Sequence, residues 1–421
     1  MRYPTCGRPL LAMLALALCA SVCRAGATAA PADTSRVYPA RVHHRPLWEE
    51  AAALPGRAIY LPISVLGFGA RHAATVIWEE RLLDRLKGYL TFAGGRAGVR
   101  PLANSLSGGG ARFFLDDALG EVDAEITSAV GASTARRQHH ILALCWPGGR
   151  CLRASYRNRP RSSFHGLGRD SRPADRSSFG QRDLGLQFSS HCPLSAPLTL
   201  NWDLSLHRTS VGAGQSQRYP ATVDVYAGQP LPGLRDDVSF AEIGLCLRAL
   251  HVDVPGSPTR GNRTRLRLVH SQSIDDDEYS HLKASLLSEQ FAELWYRRTV
   301  SLRLGAEWRL APSHNDIPFY ELATIGGTEI LRGYKEGRYR DNGVVHVAGT
   351  YKFPIWKLIE GALFYESGRT FHQVDDLTLD RWLYSCGGSL RVWVPDGVLF
   401  EVTVARSPEL TRLLFAFDST F

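Results

Sequence analysis

An arginine and a glutamate, Arg332 and Glu366, are the first candidates for a functional contact. Arg332 belongs to residues 319–342, a long polar segment between two strand-like runs. The segment contains three glycines that bear on its shape: Gly326, Gly327 and Gly333. Glycine permits backbone angles that other residues avoid, so the segment can fold back on itself and aim Arg332 at a partner. We therefore predict a structured loop here.

Glu366 lies in a run with strand-like alternation, residues 360–368. A period of two places Glu366 on one face with Phe364 and Gly368, while Leu363 and Tyr365 occupy the other face. If this strand belongs to a membrane barrel, the pattern predicts that a carboxylate and an aromatic ring point into the pore of the barrel while Leu and Tyr meet lipid. A guanidinium brought there by the loop can bind the carboxylate bidentately and stack on the ring.

Catalytic and metal chemistry have little support in the sequence. A hydrolase needs a nucleophile with a base in reach, and the nearest candidates are His270 with Ser271 or Ser273, which no recognisable motif surrounds. Cysteine spacings of the metal-binding kind are absent. We predict no enzyme activity, no metal and no cofactor, and we keep a membrane hydrolase as an alternative from a second class.

Two cysteines flank a short turn. Cys145 and Cys151 enclose Trp-Pro-Gly-Gly-Arg, so they face each other on neighbouring strands. An oxidising compartment permits a disulfide between them, and two unpaired thiols are the alternative.

The first 27 residues have the features of a secretory signal. Arg2 and Arg8 precede an apolar core, residues 10–20, and small residues follow. Cleavage of residues 1–27 removes three arginines and lowers the formal charge from +8 to about +5. This modest excess does not indicate a nucleic-acid partner. Residues 28–95 contain one amphipathic helical pattern, within 73–90, and we predict a periplasmic lead-in or plug there.

The remainder, residues 96–421, alternates apolar and polar residues with a period of two. Leu204 and Leu206 alternate with Asp203, Ser205 and His207 in a typical run. We predict sixteen strands: 98–105, 109–116, 121–131, 138–146, 149–157, 180–190, 195–210, 238–250, 259–272, 281–293, 297–310, 343–353, 360–368, 382–394, 397–406 and 411–421.

Connections between these runs are mostly short after even-numbered strands, and several are long after odd-numbered ones. Outer-membrane barrels show this asymmetry, with short periplasmic turns and long external loops. Beyond the signal no apolar run approaches the roughly 18 to 20 residues of a membrane helix, so a membrane protein of this composition must close as a barrel. The sequence thus predicts an all-β fold, a 16-stranded antiparallel transmembrane barrel, with 311–342 as its sixth external loop.

The chain ends in a run whose aromatic residues share one face: Phe415, Phe417 and Phe421. A terminal phenylalanine resembles the C-terminal signal by which outer-membrane barrels are recognised for insertion. An ordinary closing strand is the alternative.

The loop and strand motifs together resemble a known family. Gly326-Gly327, Leu331-Arg332-Gly333-Tyr334 and Asp341, followed by Phe364-Tyr365-Glu366-Ser367-Gly368, are similar to the signature of the Omp85 superfamily, the bacterial surface antigen (D15) barrels of the BamA/TamA family. The resemblance extends over most of residues 98–421. It implies that the loop is extracellular and tucks into the barrel, where its arginine meets a Phe-x-Asp-x-Gly motif. Here Glu366 replaces the aspartate, and Thr350-Tyr351-Lys352-Phe353-Pro354 stands where many relatives have Glu-x-Arg-Phe-Pro.

The same resemblance implies a role in inserting or translocating polypeptide at the bacterial outer membrane. An imperfect seam between the first and last strands would assist this insertion or translocation. The implied partners are outer-membrane lipid and lipopolysaccharide, the barrel-assembly machinery and an unfolded polypeptide client. The segment before the barrel shows little of the POTRA pattern that many relatives carry there. A passive pore or surface antigen without insertase activity is the competing function.

Overall fold

The computed structural model describes residues 89–105, 108–131, 136–228, 231–275, 277–356, 358–378, 380–394 and 397–418. The predicted signal peptide and Phe421 lie outside these residues. Of the predicted helix within 73–90, only residues 89 and 90 are described, and both are helical. In the described part of the chain, no helix is long and apolar enough to span a membrane.

The chain forms two compact units, of which the larger includes residues 99–420. The smaller includes residues 26–98, and the structure describes its last ten positions. There, the two-residue strand Thr91–Phe92 and the 3-10 turn Ala93–Gly95 precede the first long strand, with Thr91 pairing with Gly98.

Sixteen strands, each antiparallel to its neighbours, form a closed barrel. We number them β1 to β16 in chain order: Ala97–Asn104, Gly108–Leu115, Asp123–Val130, Gln138–Trp146, Arg150–Phe164, Ser177–Ser195, Leu198–Ala213, Val238–Val252, Gly261–Ser273, His281–Trp295, Arg298–Leu310, Gly343–Trp356, Ile359–Phe371, Leu383–Val394, Gly397–Arg406 and Thr411–Asp418. The predicted fold class and strand number are confirmed.

The strands turn apolar side chains outward and polar ones inward, as a barrel in lipid requires. Leu204 and Leu206 of β7 are 47% and 54% exposed. Asp203, which precedes them and lies on the other face, is 4% exposed, and both of its carboxylate oxygens accept hydrogen bonds from Arg267 of β9, at 2.9 and 3.0 Å. The chain therefore places its charges inside and its leucines outside, the reverse of a soluble protein.

Two strands, β5 and β6, differ most from their predicted bounds. β5 continues to Phe164 and β6 begins at Ser177, so the connection predicted as 158–179 is only 165–176. The added ladder includes the polar residues Arg159, Ser162 and Ser163. Backbone pairing beyond the lipid does not need an apolar face, and this is why alternation in the sequence underestimated the length of the hairpin.

The barrel closes where β16 pairs with β1, and this seam is short. Among the described residues, the paired positions are Ala416↔Asn104, Phe417↔Ala103 and Asp418↔Leu102. Ser105 extends the contact, because its N–H donates to the Phe415 carbonyl at 3.0 Å and its Oγ accepts from the Phe415 N–H at 2.7 Å. By contrast, β12 and β13 pair from Gly343↔Phe371 to Trp356↔Ile359. Among the described residues, the seam is thus paired over a much shorter stretch than β12 and β13 are.

The hairpin of β4 and β5 holds a disulfide in the structure. Cys145 and Cys151 are directly paired across the two strands, and their Sγ atoms are bonded. The other described cysteines, Cys192, Cys246 and Cys386, are free.

We predict that protein taken from an oxidising compartment carries this bond. Mass spectrometry of an unreduced digest should find the peptides of Cys145 and Cys151 linked, with Cys192 alkylated as an internal control. Because the bond closes a short hairpin, its reduction should lower the free energy of unfolding by only about 2 kcal/mol or less. Two alkylatable thiols at positions 145 and 151 would contradict this prediction.

Candidate functional site: the loop held in the barrel lumen

Residues 311–342, between β11 and β12, fold into a substructure of their own. Two three-residue strands, Ala323–Ile325 and Tyr339–Asp341, pair as an antiparallel hairpin that the sequence did not predict. The hairpin packs in a buried apolar cluster: Ala323, Ile325, Leu331, Tyr334, Tyr339 and Val344. The loop therefore presents its central residues from a rigid base.

Arg332 contacts both predicted partners on β13. Its Nε–H donates to Glu366 Oε1 at 2.7 Å, and its own backbone N–H donates to Glu366 Oε2 at 2.7 Å. The guanidinium carbon lies 3.5 Å from the centroid of the Phe364 ring. The expected bidentate contact is present in a different form, because one of its two hydrogen bonds comes from the main chain.

Little water reaches this pair. The side chains of Arg332 and Glu366 are 14% and 3% exposed. A second carboxylate, Glu401 of β15, lies 3.9 Å from Arg332 Nη1. Charge-assisted hydrogen bonds and a stacked guanidinium are strong in such surroundings, and an unpaired carboxylate there is costly. The contact can therefore anchor the loop to the barrel wall.

Gly333 is needed for space rather than for its backbone angles, contrary to the expectation from the sequence. A Cβ at this position would lie 2.7 Å from the Arg406 carbonyl carbon and from the Ser407 nitrogen. The close approach allows Gly333 N–H to donate to Ser385 Oγ at 2.8 Å, and Ser407 Oγ to donate to the Gly333 carbonyl at 3.0 Å. A larger residue would push the loop away from β14 and β15.

The other two loop glycines do adopt left-handed angles. Gly326 has φ of 103° and Gly327 has φ of 133°. The space beside Gly368 on β13 is taken by Leu331, whose Cδ1 lies 2.9 Å from where a Gly368 Cβ would stand.

Tyr334 and Asp341 lie at the base of the loop. The Tyr334 ring packs edge-on against Tyr339, with centroids 5.8 Å apart. Asp341 Oδ1 accepts a hydrogen bond from the Asn342 N–H at 2.9 Å and lies 3.4 Å from His372 Nδ1. Burial raises the pKa values of Tyr334 and Asp341. Both residues serve the loop's own fold more than its contact with β13.

One contact that sequence reasoning missed comes from Arg412 of β16. Its Nη1 donates to the carbonyl oxygens of Gly327 at 2.6 Å and of Arg332 at 2.9 Å, and also to that of Tyr334. A guanidinium that gathers three loop carbonyls fixes the turn that carries Arg332. No local motif marks Arg412, because its targets are about 80 residues away.

A second missed contact is the pair of Arg338 in the loop and Glu409 in the β15–β16 turn. Arg338 Nε lies 2.9 Å from both carboxylate oxygens of Glu409, and Arg338 Nη2 donates to the Ser171 carbonyl at 2.9 Å. The Tyr339 hydroxyl donates to Glu409 Oε1 at 3.1 Å. These bonds tie the loop to two further connections at the same end of the barrel.

The hydrolase candidates are not brought together. His270 is exposed while Ser271, the next residue of β9, is buried on the inner face. The Ser271 hydroxyl donates to Glu242 Oε1 at 2.6 Å, a carboxylate already paired with Lys283. No cluster of three potential metal ligands occurs in the described residues.

We predict that Arg332→Ala loosens the loop without unfolding the barrel. The change leaves the buried Glu366 carboxylate without its guanidinium. Breaking such a pair raises the free energy of the folded state by about 3 to 5 kcal/mol, and screening by water in the lumen reduces this cost. The loop should become more sensitive to added protease, and conductance in planar bilayers should rise. Arg332→Lys keeps the charge but not the planar stack on Phe364. Its protease sensitivity and conductance should therefore lie between those of the wild type and those of Arg332→Ala.

Glu366→Ala should give a similar phenotype, and the double variant should be little worse than either single one, because both act through one contact. Arg208→Ala is the matched control: it removes an exposed pair with Asp237 at the long-loop end and should behave as wild type. Effects that simply add, or equal loop protection in all variants, would show that Arg332 and Glu366 are not functional partners.

Comparison with known proteins agrees with this architecture. Residues 152–405 match the Omp85 superfamily domain. In fold the chain is similar to BamA from Haemophilus ducreyi lacking POTRA domains 1–3, with a TM-score of 0.59 and 15% identity over 77% of this chain and 70% of that one. CdiB from Acinetobacter baumannii aligns with a TM-score of 0.48 and 12% identity, over 76% of this chain and 59% of that one. No curated protein matches the chain in sequence.

The family match spans more than half of the chain, and it includes the long loop and nearly all of β5 to β15. The sequence resemblance is thereby confirmed at the level of the family: the chain is a member of the Omp85 superfamily, with a transmembrane barrel of sixteen strands.

Proposed function

We propose that this barrel inserts or translocates unfolded polypeptide at the bacterial outer membrane, and that the polypeptide enters at the seam between β1 and β16. The short seam is the observation that carries the proposal. Its described pairing is confined to three positions and the flanking Ser105–Phe415 bonds. Fewer backbone bonds mean that this junction opens at a lower free-energy cost than any fully paired strand couple.

An opened seam would offer what an incoming strand needs. The separated edges of β1 and β16 would expose unpaired N–H and C=O groups, which lipid cannot satisfy. A polypeptide in extended form can satisfy them by adding a strand to the edge, whatever its side chains. The client is therefore defined by its unpaired backbone and alternating pattern more than by sequence.

The anchored loop supports this function over the passive pore. In the described structure the loop, with its buried cluster, is bonded to β13 through Arg332, to β14 through Gly333 and to β16 through Arg412. A general diffusion pore needs an open lumen. A loop that joins the wall at β13, at β14 and at the seam strand β16 is better suited to hold a gate than to leave a wide channel.

The targeting of the protein, its own insertion and its lipid surroundings are part of the same proposal. A cleaved signal in residues 1–27 would direct the chain to the outer membrane, and its aromatic end, including Phe415 and Phe417, would present it to the barrel-assembly machinery. The described part of that end is consistent with a lipid-facing strand, because Phe415 is 46% exposed. Outer-membrane lipid and lipopolysaccharide would surround the barrel.

The direct experiment locks the seam. In a background lacking Cys192 and Cys386, cysteines replace the paired residues Asn104 and Ala416, whose Cα atoms are within disulfide range in an antiparallel pair. The control carries cysteines at Val404 and Leu413, paired positions on β15 and β16 away from the seam. Each protein is reconstituted in liposomes, and folding of a small urea-unfolded outer-membrane barrel is followed by its heat-modifiable migration on gels.

Reduced forms of both variants and the oxidised control should accelerate folding of the client, while the oxidised seam variant should not until reductant is added. Acceleration by the oxidised seam variant would contradict entry at the seam. Conductance without acceleration by any form would favour the passive pore.

A further inference from the structure

A cavity at the long-loop end of the barrel has a composition that the proposed function does not explain. Its volume is about 570 Å³, and seven separate segments line it, among them the starts of β4 and β6, the end of β5, the β7–β8 connection and the long loop. It lies beside the seam strands, since Ser105 and Arg412 form part of its wall.

The lining is strongly basic. Six of its residues carry positive charge, and they come from six different parts of the fold: Arg137, Arg161, Arg176, Arg218, Lys335 and Arg412. The acidic residue in the described wall is Glu336, which forms an ion pair with Arg137 at 2.7 Å. Several like charges remain gathered around one space, and a low-dielectric wall focuses their field into it.

Three of the cations lack an anionic partner. In the described chain, no carboxylate lies within ion-pair distance of Arg176, Arg218 or Lys335. Arg176 and Arg218 flank the Tyr219 ring, with guanidinium carbons 4.0 and 5.5 Å from its centroid. Such an array is unfavourable when empty of anions, because like charges repel at short range.

The ionisation of nearby loop groups is consistent with a positive field. Partial burial, then Arg176, lowers the pKa of Lys335. Burial, then the charges of Arg338 and Arg176, lowers the pKa of His165 to about 3. An anion in the cavity would raise both pKa values again.

Backbone hydrogen bonds hold the wall of the cavity in place. The Gln215 N–H donates to the Pro160 carbonyl at 2.8 Å, and the Ser178 N–H donates to the Pro220 carbonyl at 2.8 Å. These bonds fix the β7–β8 connection against β5 and β6. Ser178 is 3% exposed, and its hydroxyl, at the cavity wall, has no hydrogen-bond partner among the described residues. A buried hydroxyl without a partner is costly, and a bound oxyanion would supply one.

We propose that this cavity is a binding site for a phosphate-bearing ligand with at least two negative charges. Guanidinium groups bind phosphate oxygens in a bidentate manner, an ammonium adds a point charge, and serine hydroxyls satisfy the remaining oxygens. Ser163, Ser178 and Ser216 supply those hydroxyls in the wall. The volume suits a compound of small-molecule size or a lipid headgroup.

A compact phosphate fits better than an acidic peptide. The wall offers Tyr219 as its sole large apolar or aromatic side chain among the described lining residues, so it has no row of apolar pockets for a polypeptide. The charges converge on one space from several elements, whereas an extended peptide requires them along a groove. The inference does not depend on insertase activity, since neither the seam pairing nor the Arg332–Glu366 contact is part of it.

The test uses the whole protein in zwitterionic detergent. Inorganic pyrophosphate binding is measured by calorimetry for wild type, for the Arg218→Gln/Lys335→Gln variant and for Arg208→Gln. Arg218 and Lys335 are exposed, so their replacement should leave folding intact, which heat-modifiable migration checks. Arg208 is an arginine at the same end outside the cavity. Each lost charge should weaken binding by about tenfold, and added salt should weaken it further.

A second arm replaces pyrophosphate by nanodiscs that contain diphosphoryl or monophosphoryl lipid A. Binding in either arm that Arg218→Gln/Lys335→Gln weakens and Arg208→Gln does not would support the proposal, and the arm in which it occurs identifies a soluble or a lipid source. Absence of binding in both arms or equal binding by all three proteins would overturn it. So would binding of an oligoglutamate peptide, tested in parallel as an acidic polypeptide, when neither phosphate ligand binds.

Discussion

The structure depends on one constraint: backbone polar groups in lipid must be paired within the protein. A sheet that meets this requirement has to close on itself, and sixteen strands close here through β1 and β16. Closure is unequal around the wall. Most neighbouring strands are paired along much of their length, while the described pairing of β16 with β1 ends after Asp418, Phe417 and Ala416. The barrel is thus closed, and the described residues pair over a much shorter stretch at the β16–β1 seam than between β12 and β13.

The lumen meets a related constraint, because charges facing inward must find partners. Lys283 of β10 illustrates this: it binds Glu242 of β8 at 2.8 Å and Glu321 of the long loop at 2.6 Å. Burial alone would raise the pKa of Glu321, but Lys283 outweighs it and lowers that pKa to about 2. Loop and wall are therefore joined by ionised groups on the far side as well as at Arg332. Arg412 adds a bond from the seam strand itself, so a movement of β16 would be felt by the loop.

Much of the fold was predictable because its signals are local. The period of two identifies each strand that meets lipid, and the same period places Glu366 and Phe364 on the inner face. The family resemblance added the loop that brings Arg332 to them. The role of these residues, and of Phe415, Phe417 and Phe421 in insertion, stays a prediction.

The rest was not predictable because it depends on contacts between distant segments. Arg412 and the Arg338–Glu409 pair have no motif, and their importance appears only when the β15–β16 turn meets the loop. Gly333 was assigned a conformational role when a neighbouring backbone is what excludes a side chain. The basic cavity draws its arginines from parts of the chain that no spacing connects. Sequence patterns predict individual strands, whereas a site assembled from many strands and loops is visible only once their packing is known.

Hydrogen–deuterium exchange of the protein in nanodiscs measures the opening of individual strand pairs, so it shows whether the seam opens more readily than a fully paired part of the wall. We predict that peptides covering residues 102–104 and 416–418 exchange roughly tenfold or more faster than peptides from the centre of β13, which is paired with both of its neighbours. Equal protection of the seam and of β13 would contradict it.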